Sequence, residues 1–168
     1  KDSPDAARNR KVKNPREAAA YTYGYNHSLF AQRVHDVITA LAAIRDDADH
    51  RTQRTLLVAM DATGPIAAAA RALSSDAVTA AAIHAGDFRF DQLRSIYDAQ
   101  FLPCISRFGD LPGLLALGAP KKLWLSGAAA TPPDLVGGFH EHAGVADTLQ
   151  YVQNGKPAAA IAWLLKQK

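Results

Sequence analysis

Cysteine is nearly absent from this sequence, in which Cys104 is the single thiol. One cysteine excludes an internal disulfide and a cysteine-based metal cluster. No glycine-rich loop follows a strand with the spacing that phosphate binding requires. We therefore predict no metal and no cofactor, and we interpret Cys104 as a small buried hydrophobic residue.

Long hydrophobic runs are also missing, and none approaches the roughly 20 residues that a membrane-spanning helix needs. Hydrophobic residues make up 48% of the 168-residue chain, which predicts one globular, soluble domain with a real core. Because the chain begins at Lys1, we expect either a processed leader or a missing N-terminal half. A cytoplasmic and an exported protein both stay open.

Basic residues are concentrated at the start of the chain. The formal net charge is +3, but residues 1–16 alone carry six Lys or Arg and two Asp, so the remainder is slightly acidic. A nucleic-acid groove needs basic residues clustered on a folded surface. We therefore predict a polar basic arm at residues 1–20, a folded unit at residues 21–168, and no nucleic-acid partner.

Short apolar runs alternate with segments of helical periodicity in the rest of the chain. This order predicts an α/β fold, a three-layer α/β/α sandwich around a parallel sheet with helices on both sides. The predicted strands are 55–60, 77–84, 122–126 and 148–153. The predicted helices are 26–45 (capped by Asn26), 64–73, 91–98, 111–117, 133–143 and 157–166.

The segment Thr55–Ile66 is the most informative one. A buried-type strand ends in small residues, turns, and opens a helix at Gly64-Pro65, as in a strand–nucleophile–helix elbow. The residue at the tip of the turn is Asp61. An aspartate there could attack carbon as a nucleophile, or it could cap the helix that follows.

Several segments resemble the C-terminal half of an α/β-hydrolase, and more closely the acetyl-xylan-esterase and dienelactone-hydrolase-like branch found in bacteria. The segments that carry the resemblance are Tyr21–Asn26, Phe30–Asp36, Val58–Pro65, Gly86–Phe90 and Phe108–Pro112. The resemblance implies that the first half of the sheet, with one donor of the oxyanion hole, lies elsewhere. It would leave the strand at 56–58 as an exposed apolar edge, so we expect the missing N-terminal half or other subunits as partners.

The resemblance also implies where catalytic side chains should lie, and several positions depart from the pattern. The tip has Asp61 in place of serine. After the last strand, Asn154 stands about where the histidine base should be. Asp87 is the better candidate for the acid, with turn or cap chemistry as the alternative. His84 ends the second strand and could reach the elbow, or it could be a structural histidine.

Other polar residues have simpler interpretations. His140 and His142 are two apart, so on a helix they face different ways. Arg33 and Asp36 are three apart and predict a helix-surface ion pair or a clamp to the missing half. The aromatic loop Tyr21–Tyr25 predicts packing, with a pocket mouth as the alternative.

Two functions follow as expectations. The first is a catalytically degenerate hydrolase-like domain with a structural or interaction role within a larger protein. The second is an active hydrolase of carboxylic esters (acetyl-xylan type) or of carbon–heteroatom bonds, using Asp61, Asp87 and His84 on a small substrate. The replaced serine and histidine favour the first.

Overall fold

A computed structural model describes residues 22–47 and 53–167, in which strands and helices alternate. The strands are β1 (Leu56–Ala59), β2 (Ala80–His84), β3 (Lys122–Gly127) and β4 (Leu149–Gln153). The helices are α1 (Leu29–Asp46), α2 (Gly64–Leu73), α3 (Asp110–Leu117), α4 (Asp134–His142) and α5 (Pro157–Leu164). The predicted basic arm at residues 1–20 and Tyr21 lie outside the described residues.

The four strands form one sheet in the order β1-β2-β3-β4, and every pair is parallel. Parallel neighbours need a crossover, and a helix between successive strands provides it. All carboxyl ends therefore lie along the same edge of the sheet. The predicted α/β class is confirmed.

The two faces of the sheet bury different side chains. Ala81, Ile83, Leu123 and Leu125 pack in one cluster with residues of α1 to α4. Ala80, Ala82 and Trp124 alternate with them and pack against Ala160 and Leu164 of α5. This alternation makes three layers, in which α1 to α4 pack on one face of the sheet and α5 packs on the other within the described part of the chain.

Alanine lets the central strand and its helix approach closely. Ala67 to Ala70 of α2 are all buried, and they lie in the same core cluster as Ala81 of β2. Small side chains leave little distance between helix and sheet axes. The alanines of α2 and β2 therefore serve this close contact.

Strand β1 lies at one edge of the sheet, and among the described residues no strand pairs with its outer side. Its Val58 is 47% exposed, whereas Ala82 beside it in β2 is fully buried. An apolar edge strand of this kind offers unpaired backbone groups to another chain.

A helix predicted at 91–98 is wrong. The segment holds one short 3₁₀ turn, Phe90–Gln92, followed by irregular turns. Side chains capture the backbone N–H groups that a helix would use: the Asp110 carboxylate accepts from Phe90 and Asp91 at 2.9 and 3.0 Å. Ser95 Oγ likewise accepts from the N–H of Tyr97 at 3.1 Å. Such local bonds compete with helix formation.

The N-cap of helix α1 lies two residues later than predicted. Ser28, not Asn26, is its N-cap, and the Ser28 Oγ accepts from the N–H of Ala31 at 3.2 Å. Asn26 instead donates its side-chain amide to the carbonyl of Thr22 at 2.8 Å. Strand β2 also starts later than predicted, at Ala80, since a 3₁₀ turn at Ser75–Ala77 precedes it.

Arg71 of α2 is completely buried without a carboxylate beside it among the described residues. Its guanidinium donates to the carbonyls of Leu115 at 3.2 Å and Lys121 at 2.6 Å. Gly118 leaves room for it, because a Cβ there would meet Arg71 Nη1 at 1.9 Å. Burial lowers the pKa of Arg71 to about 10.

The expectation that Cys104 is buried is wrong, because its side chain is exposed. Cys104 has a φ of 66° and precedes the 3₁₀ turn Ile105–Phe108. It lies in the loop between β2 and α3, where the next residue, Ile105, is the one that enters the core.

Candidate active site at the elbow

The turn after β1 carries Asp61 in the left-handed region, with a φ of 51°. Thr63 closes the turn, since its Oγ1 donates to the Met60 carbonyl at 2.8 Å and accepts from the Met60 N–H at 3.1 Å. Helix α2 then begins at Gly64, with Pro65 in its first turn. A left-handed residue between a strand and a helix directs its side chain away from both, as at a nucleophile elbow.

Asp61 does not cap helix α2, so the capping interpretation is wrong. The N-cap position belongs to Thr63, which makes no side-chain capping bond. The Asp61 side chain is 84% exposed and lies at the carboxyl end of the sheet instead.

His84 lies beside Asp61, with 3.6 Å between the imidazole Nε2 and the carboxylate Oδ1. The His84 side chain is 22% exposed, and its other nitrogen, Nδ1, is buried without a partner among the described residues. At 3.6 Å the two groups are not hydrogen-bonded, but protonation of the imidazole would make them an ion pair. The arrangement places an imidazole beside an exposed carboxylate at the end of the sheet.

Gln100 is a third side chain at the elbow, and nothing in the sequence indicates it. Its Nε2 donates to the carbonyl of Ala62 at 2.6 Å, while its Oε1 is buried without a partner among the described residues. The loop that carries Gln100 therefore lies over the turn. Residue 62 lies in a short 3₁₀ turn and residue 100 in an irregular loop, so no periodic pattern could have joined them.

The structure does not bring Asp87 into contact with Asp61 or His84 among the described residues. Asp87 follows the left-handed Gly86 and lines a separate cavity between the ends of β2 and β3. Its role as the catalytic acid stays a prediction.

Residues at the ends of β3 and β4 form hydrogen bonds that hold the two strand ends together. Ser126 is buried at the end of β3, and its Oγ accepts from the N–H of Gly155 at 2.7 Å. Asn154 has a φ of 49°, and its N–H donates to the carbonyl of Gly127 at 2.8 Å. These bonds join the ends of two neighbouring strands and leave no titrating group at residue 154.

Two further histidines, His140 and His142, lie on helix α4. His140 is fully buried, and its Nδ1 lies 2.9 Å from the Thr148 hydroxyl, whereas His142 is exposed. The prediction that the two face different ways is confirmed. No cluster of three or more His, Cys, Asp or Glu side chains suited to a metal ion occurs in residues 22–47 and 53–167.

Arg33 and Asp36 make no ion pair with each other among the described residues, contrary to the helix-surface pair that their spacing predicts. Both line a groove of about 570 Å³ between α1 and the outer edge of β1. The remaining lining is mostly apolar and includes Val37, Val58 and Ile66. The groove thus continues the exposed edge of the sheet.

No family model, no curated protein and no solved structure matches this chain. The fold and the elbow define an α/β protein with an aspartate at a strand–turn–helix junction. Among the helices that the structure describes, none is long and apolar enough to cross a membrane.

Proposed function

We infer that this chain is the second half of an α/β-hydrolase-like domain that has lost the usual catalytic set and acts structurally or in interactions within a larger protein. The observation that carries this proposal is the left-handed Asp61 between β1 and α2, followed by β2, β3 and β4 in spatial order. The same succession underlies the resemblance to the acetyl-xylan-esterase and dienelactone-hydrolase-like proteins.

Loss of the usual chemistry is supported by what occupies the catalytic positions. The elbow tip has a carboxylate in place of a hydroxyl, and Asn154 after β4 does not titrate. A serine-type attack needs both a hydroxyl nucleophile and a base oriented toward it. Ser126 does not replace the nucleophile, because it is buried and holds the N–H of Gly155.

An interaction role is supported by the outer edge of β1. The exposed Val58 and the adjoining groove would be covered by a strand of the completing half, whose backbone would pair with β1. Arg33 and Asp36, at the α1 side of that groove, are placed to pair with charges on the same segment. The partner is therefore the preceding part of the same fold.

Size-exclusion chromatography with light scattering on the 168-residue chain tests this. We expect self-association that falls when Val58→Lys places a charge on the edge. Leu73→Lys is the control, because Leu73 is exposed at the end of α2 outside the groove. A wild-type chain that is a stable, monodisperse monomer would contradict the proposal.

A second candidate function is hydrolysis with Asp61 as the nucleophile, and the 3.6 Å approach of His84 Nε2 to Asp61 Oδ1 favours it. Asp61 would attack a substrate carbon and expel its oxygen or halide, leaving an ester on the carboxylate. His84 would then take a proton from the water that attacks the Asp61 carbonyl carbon, releasing product and restoring the carboxylate. With a carboxylic ester, including an acetyl ester, Asp61 would attack the acyl carbon and expel the alkoxide, which takes a proton from solvent and leaves a mixed anhydride on Asp61. Water that gives a proton to His84 would hydrolyse this anhydride to the free acid and the Asp61 carboxylate.

The test is turnover of p-nitrophenyl acetate and of a short haloalkane and epoxide panel by the full-length protein that contains this chain. Asp61→Asn should abolish turnover if Asp61 is the nucleophile, and His84→Gln should trap the covalent intermediate, visible by mass spectrometry. Asp91→Asn, an exposed aspartate outside the elbow, is the matched control. Folded protein without turnover would leave only the degenerate domain.

A further inference from the structure

A second cavity, of about 260 Å³, lies at the carboxyl ends of β2 and β3. Its apolar lining includes Leu111 and Leu115 of α3 and Leu125 of β3. Neither Asp61 nor His84 lines it, so it is separate from the elbow. Ligands of parallel α/β sheets bind outside the carboxyl ends of the strands, which is where this cavity opens.

Three charged side chains line this cavity: Asp87 and Arg89 from the loop after β2, and Asp134 from the start of α4. None of them forms an ion pair with another described residue. Arg89 donates from Nη1 to the carbonyl of Phe88 at 2.8 Å, which holds the guanidinium in place and leaves its other N–H groups available. The cavity thus presents charges of both signs that remain unpaired.

Tyr151 of β4 connects two of these charges. Its hydroxyl donates to the carbonyl of Ala129 at 2.8 Å. The pKa of Tyr151 is raised by burial and then by the negative charge of Asp87, while the positive charge of Arg89 opposes the rise. Both charged groups therefore lie close enough to Tyr151 to act on its phenol.

We propose that this cavity binds a small zwitterion that carries a primary ammonium, a carboxylate and a compact aliphatic body, as free aliphatic α-amino acids do. The ammonium group binds between Asp87 and Asp134, and the carboxylate accepts hydrogen bonds from Arg89. The aliphatic body packs on Leu111, Leu115 and Leu125. A cavity of 260 Å³ falls below the usual size of drug-like sites, which restricts the ligand to a small molecule.

The charge pattern selects a zwitterion over a simple anion or cation. An anion would meet Arg89 but also two carboxylates, and a simple cation would leave the guanidinium without a partner. Charge-assisted hydrogen bonds are roughly twice as strong as neutral ones, so each end of the ligand contributes to the affinity. A molecule that lacks the ammonium or the carboxylate therefore loses the charge-assisted hydrogen bonds of that group.

Calorimetric titration of the 168-residue chain tests the proposal with three probes that share one aliphatic body: L-leucine, 3-methylbutan-1-amine and 4-methylpentanoate. We expect saturable binding of L-leucine and about tenfold or greater weakening for each single-charge analogue. Asp87→Asn should weaken L-leucine about tenfold and spare 4-methylpentanoate, while Arg89→Gln should weaken L-leucine and spare the amine.

Asp147→Asn and Arg107→Gln change the same charges at exposed positions outside the cavity and should leave L-leucine binding unchanged. Circular dichroism checks that each variant is folded. The proposal is overturned if no probe binds saturably at millimolar concentration. It is equally overturned if L-leucine binds but neither Asp87→Asn nor Arg89→Gln alters its affinity.

Discussion

Gly64 lies directly against the backbone of His84, and a Cβ on Gly64 would come within 2.6 Å of the His84 carbonyl oxygen. The first turn of α2 therefore rests on the end of β2. This contact positions the elbow beside the imidazole.

Gly64→Ala should lower the free energy of unfolding by about 1–3 kcal/mol, because the methyl group forces helix and strand apart. Gly138→Ala, in α4, is the matched control, since a Cβ there meets nothing within 4 Å. The control should gain about 0.5–1 kcal/mol from helix propensity. Urea unfolding of both variants measures the difference, and equal effects would contradict the contact.

Asp61→Gly should raise the free energy of unfolding by about 1 kcal/mol, because glycine adopts the left-handed region without strain. The Asp61–His84 pair contributes little stability that could be lost, because the Asp61 carboxylate is 84% exposed and 3.6 Å from the imidazole. Asp147→Gly, at an exposed aspartate without a positive φ, should instead destabilise by about 0.5–1 kcal/mol. Thermal unfolding shows whether each variant is more or less stable than the wild type. A loss of stability in both variants would count against strain at residue 61.

Asp110 orders the loop after β2, since its carboxylate accepts from the N–H groups of Phe90, Asp91 and Leu111 at 2.9, 3.0 and 2.6 Å. Asp110→Asn should cost about 2 kcal/mol, because the amide has a single uncharged acceptor. Asparagine tolerates the φ of 55° at this position, so the change isolates the hydrogen bonds. Asp91→Asn is the control, because Asp91 contributes only its backbone N–H to the contact and is exposed. Its free energy of unfolding in urea should stay within about 0.5 kcal/mol of wild type. Equal losses in the two variants would rule out an ordering role for the Asp110 carboxylate.

His140 should make stability depend on pH. Burial lowers its pKa below the ordinary value of 6.5, and the charge of Arg71 lowers it further, against a smaller opposing effect of the Val145 carbonyl. The unfolded chain therefore binds this proton more readily. The stabilisation is fully present above pH 6.5 and is lost as the pH falls from there through the folded-state pKa.

The free energy of unfolding should thus decrease below pH 6.5, by at most about 1.4 kcal/mol per pH unit for this proton. His140→Gln should reduce that slope, while His142→Gln, exposed on the same helix, should retain it. Urea titrations between about pH 5 and pH 8, the range in which histidine changes charge, measure the slopes. An unchanged slope in His140→Gln would falsify the assignment.

Hydrophobic periodicity and the positions of proline in the sequence predicted most of the strands and helices. Strand β3 and helices α2 and α4 lie within a residue of their predicted bounds, because Pro65 and Pro133 mark helix starts and the buried run at 122–126 has the length of a strand. The approach of His84 to Asp61 could also be anticipated, since neighbouring parallel strands end at one edge of the sheet.

Two of the wrong predictions, the helix at 91–98 and the buried Cys104, fall in the loop between β2 and α3. Its structure depends on Asp110, twenty residues from Phe90, and no local pattern reports such a bond. The same loop brings Gln100 over the elbow and exposes Cys104. Contacts made by irregular segments depend on the whole fold, so propensity cannot locate them.

Helix α5 has a consequence for how the chain folds. Each strand pairs only with its neighbours in sequence, so the sheet could grow by local additions, yet α5 returns across it to contact β1 and β2. Arg54, just before β1, also donates to the carbonyl of Gln167 beyond α5. The last helix therefore supplies the long-range closure that makes unfolding of the sheet cooperative, and a chain shortened before Pro157 should unravel strand by strand.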